Sequence, residues 1–175
     1  MNQTMSKSGT KQQLKLPDII VEAAMVNPEG KASRIGSKVP NDLLNREWVQ
    51  LRNMTDRPLL LNGLELRHMS YHDSPDGKLV KVLTLQGQLA AHTYLRIHSG
   101  IGKPRIDPKR RIIHAFVGSK LQQFYYQIAR GDTIAIMHPR GAVIDQATYD
   151  MPVEEGIRLK RVPPVTRRWL AHPSV

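Results

Sequence analysis

The sequence predicts an all-β domain, a sandwich or barrel of about seven to nine short antiparallel strands. Three observations carry this expectation. Apolar residues alternate with polar ones at a period of two in several runs, as a half-buried strand requires. Turn signals separate those runs at short spacing, among them Asn27-Pro28-Glu29-Gly30, Asp73-Ser74-Pro75-Asp76-Gly77 and Pro139-Arg140-Gly141. A run with helical period is hard to find; the best candidate, residues 121–129, reads as a loop or one helical turn.

Along the chain, residues 1–17 are polar, carry Lys7, Lys11 and Lys15 without an acid, and end at Pro17. They read as a flexible basic arm. Order is expected from Asp18, where Asp18-Ile19-Ile20-Val21 opens a β-rich run that stops at Asn27-Pro28. Residues 30–45, rich in Gly, Ser, Lys and Pro, read as a loop. In Glu47-Trp48-Val49-Gln50-Leu51-Arg52-Asn53 the alternation places Val49 and Leu51 on one face and Gln50 and Arg52 on the other. Past the turn at Asn53-Met54-Thr55-Asp56, Leu64 and Leu66 alternate with Glu65 and Arg67. Further strands are expected at residues 79–85, 93–98, 112–117, 133–137 and 142–147. The inward set is Val49, Leu51, Leu64, Leu66, Val82, Leu95, Ile97, Ile134, Ile136 and Val143. After Asp150 the chain reads as an extended tail over 151–175, because Pro163-Pro164 favours polyproline II and opposes a strand in a sheet centre.

Composition narrows the chemistry. The 175 residues suit one domain, here 18–150, with a tail at each end. The absence of cysteine removes disulfides, thiolate nucleophiles and cysteine zinc sites. No apolar run is long enough for a signal peptide or a membrane span, so the expectation is a cytoplasmic or otherwise intracellular protein. A formal net charge of +11 favours a polyanionic partner, nucleic acid or an anionic surface.

Several segments, taken together, resemble the lamin tail domain. They are Ile20-Val21-Glu22 with Asn27-Pro28, then the strand ending at Asn53, then Pro58-Leu59-Leu60-Leu61-Asn62-Gly63-Leu64-Glu65-Leu66. The C-terminal match is Gly131-Asp132-Thr133-Ile134-Ala135-Ile136, then Pro139-Arg140-Gly141-Ala142-Val143-Ile144-Asp145, then Tyr149. The likeness spans residues 18–150. It departs at Leu64, where the family often has an aromatic residue, and in the basic stretch 101–111. The resemblance implies an immunoglobulin-like antiparallel β-sandwich that acts as an interaction module.

No set of residues points to catalysis. There is no glycine-rich phosphate loop, no nucleophile elbow and no acid pair at a spacing that demands acid–base work. Among seven histidines, His92 and His98 share a strand face but lie roughly 20 Å apart at ~3.3 Å per residue, too far to chelate one ion unless the chain bends. His68 and His72 flank a turn without an obvious third ligand. The Asp73–Gly77 stretch lacks the carboxylate spacing of a calcium loop. Asp132 follows Gly131 ahead of a strand, where a short acidic side chain can accept backbone N–H groups. The expectation is therefore no enzyme, no cofactor and no metal.

The signal for binding is Lys103-Pro104-Arg105-Ile106-Asp107-Pro108-Lys109-Arg110-Arg111, five cations against one acid, expected in a loop between two strands. Arginine suits phosphate because its planar fork donates two hydrogen bonds at once. Arg167-Arg168-Trp169 adds a cation pair beside an aromatic ring, a combination that suits phosphate contact with base stacking. The function expected is a binding or scaffold module that contacts nucleic acid or another polyanion. The alternative is a component of an assembly whose terminal arms pack on neighbouring subunits, with a protein partner or self-association in either case.

Overall fold

The structure, a computed structural model, describes residues 17–31, 38–118, 124–128, 130–150, 152–161 and 170–172. In chain order the elements are β1 (Ile19–Met25), α1 (Asn41–Leu44), β2 (Trp48–Asn53), β3 (Leu59–Leu60), β4 (Glu65–Ser70), β5 (Lys78–Thr84) and β6 (Gln88–Leu89). They continue as β7 (Tyr94–His98), β8 (Arg105–Asp107), β9 (Ile112–Phe116), β10 (Asp132–Met137), β11 (Val143–Tyr149), β12 (Arg158–Lys160) and β13 (Leu170–His172). The fold is all-β and sandwich-like. A seven-stranded sheet ordered β13-β12-β1-β2-β7-β9-β8 faces a four-stranded sheet ordered β11-β10-β4-β5, and β3 pairs with β6 in a small ribbon. Every ladder is antiparallel except β7 with β9.

The core forms where the two sheets meet. Val21, Val49, Leu51 and Ile97 from the larger sheet join Leu66, Ile134, Ile136 and Ala147 from the smaller one, all at most 1% exposed. Stacked sheets lie ~10 Å apart, so alternate side chains from each fill the gap. Leu61, Leu85 and Leu89 extend the same cluster. A second, smaller cluster of Val39, Leu43 and Leu44 packs with Phe124.

The long alternating runs become strands within a residue or two of where the sequence puts them. Five features differ. The stretch 30–45, expected as a loop, contains the single turn α1, which buries Leu43 and Leu44. Val143, expected inside, is 47% exposed. The ladder pairs Ile136 with Asp145 but Met137 with Val143, so Ile144 is an extra residue that breaks the alternation. The region past Asp150, expected as an extended tail, supplies β12, which hydrogen-bonds to β1 inside the larger sheet. The basic stretch, expected as a loop, contains edge strand β8, paired with β9 in the register Arg105↔His114 and Asp107↔Ile112. Strands of two or three residues raise the number above the seven to nine expected. Of the candidate helical turn, residues 121–123 and 129 lie outside the described residues, and 124–128 form no helix.

Buried polar contacts tie these parts together. Asp132 accepts from Met69 N at 2.7 Å, from Gln127 N at 3.1 Å and faces His68 Nδ1 at 3.1 Å. Asn53, fully buried, donates to the carbonyls of Arg57, Leu89 and Ala90 and accepts from Thr55 N. Glu47 binds Lys31, Ser99 Oγ and Tyr125 N, while Lys31 also donates to Val26 O and Tyr126 O. Arg161 pairs with Asp145, which also accepts from Val21 N. Each anchor joins segments far apart in sequence and satisfies charges that burial would otherwise penalise.

Candidate anion-binding face

One face of the seven-stranded sheet packs on the core; the other carries charge. A single register row crosses six strands as Lys160, Ala23, Gln50, Arg96, His114 and Arg105. Strands in a sheet lie ~4.8 Å apart, so the row is roughly 24 Å long. A neighbouring row holds Trp48, His98 and Phe116, and the row on the other side holds Arg52, Tyr94, Ile112 and Asp107.

Several contacts organise this surface. The β1–β2 register shifts between Val21 and Ala23, which makes Glu22 the extra residue of a bulge. Bulges re-aim side chains. Glu22 accepts from Gln50 Nε2 at 2.9 Å and meets Arg52 Nη1 at 3.4 Å. Gln50 Oε1 in turn accepts from Arg96 Nε at 3.1 Å and Nη2 at 2.8 Å. The Arg96 guanidinium lies 4.0 Å over the Trp48 ring and that of Arg158 lies 5.6 Å from it. Arg52 stands 5.5 Å from the Tyr94 ring. Such cation–π contacts hold long side chains in place and leave their outer edges for other partners. They also bury β2 on both sides: Trp48 is 8% and Gln50 3% exposed, although alternation alone places Gln50 on the polar face.

Between these side chains is a hollow of about 460 Å³ lined by Arg96, Arg110, Arg158, Lys160, Glu22 and Tyr94, among others. Four cations therefore face one carboxylate. Burial, with Arg158 and Arg110 nearby, pulls the Arg96 guanidinium down to about 10, so it stays charged at neutral pH.

A second hollow, of about 440 Å³, is lined by Asn45, His98, Lys103, Pro104, Arg105 and Phe116. His98 stacks against Phe116 and His114, both on β9, with centroids 5.0 and 5.2 Å away. Asn45 O accepts from His98 Nδ1 at 2.7 Å, so neutral His98 accepts at Nε2 from His114 Nδ1, 2.9 Å away. Burial pushes His98 down to about 4. His114 is lowered too, first by burial and then by the Arg105 and Arg96 charges.

The five cations of the basic stretch are all exposed, but they do not act as one loop. Lys103 and Arg105 border the histidine hollow, and Arg110 borders the arginine hollow. Lys109 lies in the turn between β8 and β9. Arg110 folds back on Asp107, with Nη1 3.6 Å from the carboxylate. Arg111, at φ 55°, donates to Ala91 O at 2.7 Å. Arg167, Arg168 and Trp169 lie outside the described residues.

Sequence reasoning missed Arg96, Arg158 and Lys160. Tyr94-Leu95-Arg96-Ile97-His98 showed which residues share a face, but the neighbours that complete the face come from β2 and β12, which only sheet order supplies. Three of the other histidines have separate carboxylate partners: His68 with buried Asp132, His72 with Asp73, and His92 with Asp56. Among the described residues, no helix is long and apolar enough to cross a membrane. Comparison with protein-family models and with the curated proteins finds no match to this chain.

Proposed function

We propose that this chain is a non-catalytic binding domain for a polyanion, nucleic acid first among them. The observation that carries the reading is the continuity of charge: the exposed cations Lys103, Arg105, Lys109 and Arg110 run into Arg96, Arg158 and Lys160 on one sheet face. Lysine and arginine on such a surface displace the counterions condensed on a phosphate backbone, and that release drives association. The resemblance to lamin tail domains supports an interaction module, and on its strength we read the sandwich as immunoglobulin-like. A location inside the cell fits that partner.

The test is binding to an unstructured DNA strand and to a duplex across a salt series. With about four phosphates neutralised, the slope of log affinity against log salt on duplex is about −3.6. The informative variant is Lys103→Ala/Arg105→Ala/Lys109→Ala. These side chains are exposed, whereas Arg110 pairs with Asp107 and Arg111 supports Ala91 O. The triple variant flattens the slope toward about −1 and keeps its melting temperature. Equal slopes for wild type and variant overturn the reading. A salt-independent oligomer that binds neither DNA favours the assembly role instead.

A further inference from the structure

We propose that the hollow bounded by Arg96, Arg158, Lys160 and Arg110 is a site for a phosphate monoester, the terminal phosphate of a nucleic-acid strand or of a free nucleotide. The inference rests on the polyanion reading for the strand, but not for the free nucleotide.

The charge balance favours a dianion. Four cations line the hollow; Asp107 pairs with Arg110, and the two oxygens of Glu22 are engaged by Gln50 and Arg52, which leaves Arg96, Arg158 and Lys160 without an ion pair among the described residues. A backbone diester carries one negative charge, whereas a terminal phosphate carries close to two at neutral pH. Cations gathered this closely repel one another; Arg96 is lowered first by burial and then by the Arg158 and Arg110 charges. A dianion seated among them removes that repulsion.

The donors are also held in position. Gln50 Oε1 engages Arg96 Nε and Nη2 and Trp48 lies beneath the guanidinium, so its plane is fixed while Nη1 remains available. Arg158 rests against the same indole, which holds its guanidinium beside the hollow. Lys160 adds a compact ammonium with three donors. Side chains already ordered lose little freedom on binding. The volume suits a phosphate with its sugar, since ligand sites span roughly 300–1,000 Å³, and Tyr94 adds an aromatic wall.

The experiment compares one short DNA strand with and without a 5′-phosphate, by fluorescence anisotropy at fixed salt, with AMP and adenosine measured by calorimetry alongside. The phosphorylated strand binds about tenfold tighter, the worth of a charge-assisted contact to an ion, and AMP binds where adenosine does not. Lys160→Gln removes most of the difference; Arg158→Gln/Lys160→Gln removes it all. Melting temperatures identify any variant that fails to fold, and Lys160, half-exposed and outside the arginine–indole stack, is the safer of the two. Equal affinity for both strands together with no AMP binding overturns the proposal, even if salt-dependent binding to the unphosphorylated strand persists. A phosphate preference that survives in a folded double variant overturns it as well. If AMP binds and no strand does, the hollow stands as a nucleotide-phosphate site and the polyanion reading fails.

Discussion

Replacing Arg161 tests how far the region past Asp150 belongs to the folded domain. Arg161 is 3% exposed, pairs with Asp145 and donates to Val21 O at 3.1 Å. Asp145, also buried, accepts from Val21 N at 2.7 Å as well, so one carboxylate joins β1, β11 and the residue after β12. Arg161→Met keeps the apolar stem and removes the guanidinium, which leaves a buried carboxylate without its counter-charge. Breaking a buried pair from one side costs about 3–5 kcal/mol. With a urea dependence of about 2 kcal/mol per molar, the unfolding midpoint falls by about 1.5–2.5 M. Adding Asp145→Asn in the same chain restores part of the loss, because the neutral amide oxygen still accepts from Val21 N. That recovery appears as a coupling of about 1 kcal/mol or more in the double-mutant cycle. Urea titrations followed by circular dichroism read all four proteins. A midpoint shift below about 0.5 M for Arg161→Met refutes the reasoning and makes the region past Asp150 an appendage.

Two further outcomes follow from single sites. Gly131 has φ +75°, and a Cβ there would lie 2.1 Å from Tyr149 O, a backbone atom with no room to yield. Gly131→Ala therefore costs more than about 2 kcal/mol, whereas Gly87→Ala, with φ +82° and nothing within 4 Å, costs about 1–2 kcal/mol from the backbone conformation alone; equal melting temperatures for the two variants contradict this. His98 binds a proton at about 4 in the fold against the ordinary 6.5 of an unfolded chain. The unfolded state therefore takes up protons first as pH falls, and stability present above 6.5 is lost progressively toward 4, by at most about 3 kcal/mol. Thermal melts across that window show the loss, and His98→Gln reduces it; identical pH profiles for the two proteins contradict the assignment.

The sequence alone determined the element type of the long alternating runs and most of their apolar faces. Period-two alternation at Val49/Leu51, Leu95/Ile97 and Ile134/Ile136 is a local property of the pleat, and those residues fill the core. Turn chemistry did the same for residues 73–77, and short-range logic anticipated that Asp132 would accept backbone N–H groups. The five cations at residues 103–111 were legible as a cluster because they are adjacent in the chain.

Only the tertiary structure decided what lies beside what. Val143 turned outward because the ladder with β10 takes up an extra residue at Ile144, which depends on a partner strand. Gln50 became buried because Arg96 and Arg158, 46 and 108 residues later, stack over the neighbouring Trp48. The arginine hollow combines β1, β2, β7 and β12 with the turn after β8, and no local pattern encodes that order. Alternation reports which side chains share a face within one strand. Which faces assemble, and into what charge, is set by hydrogen-bond pairing between segments far apart in the chain.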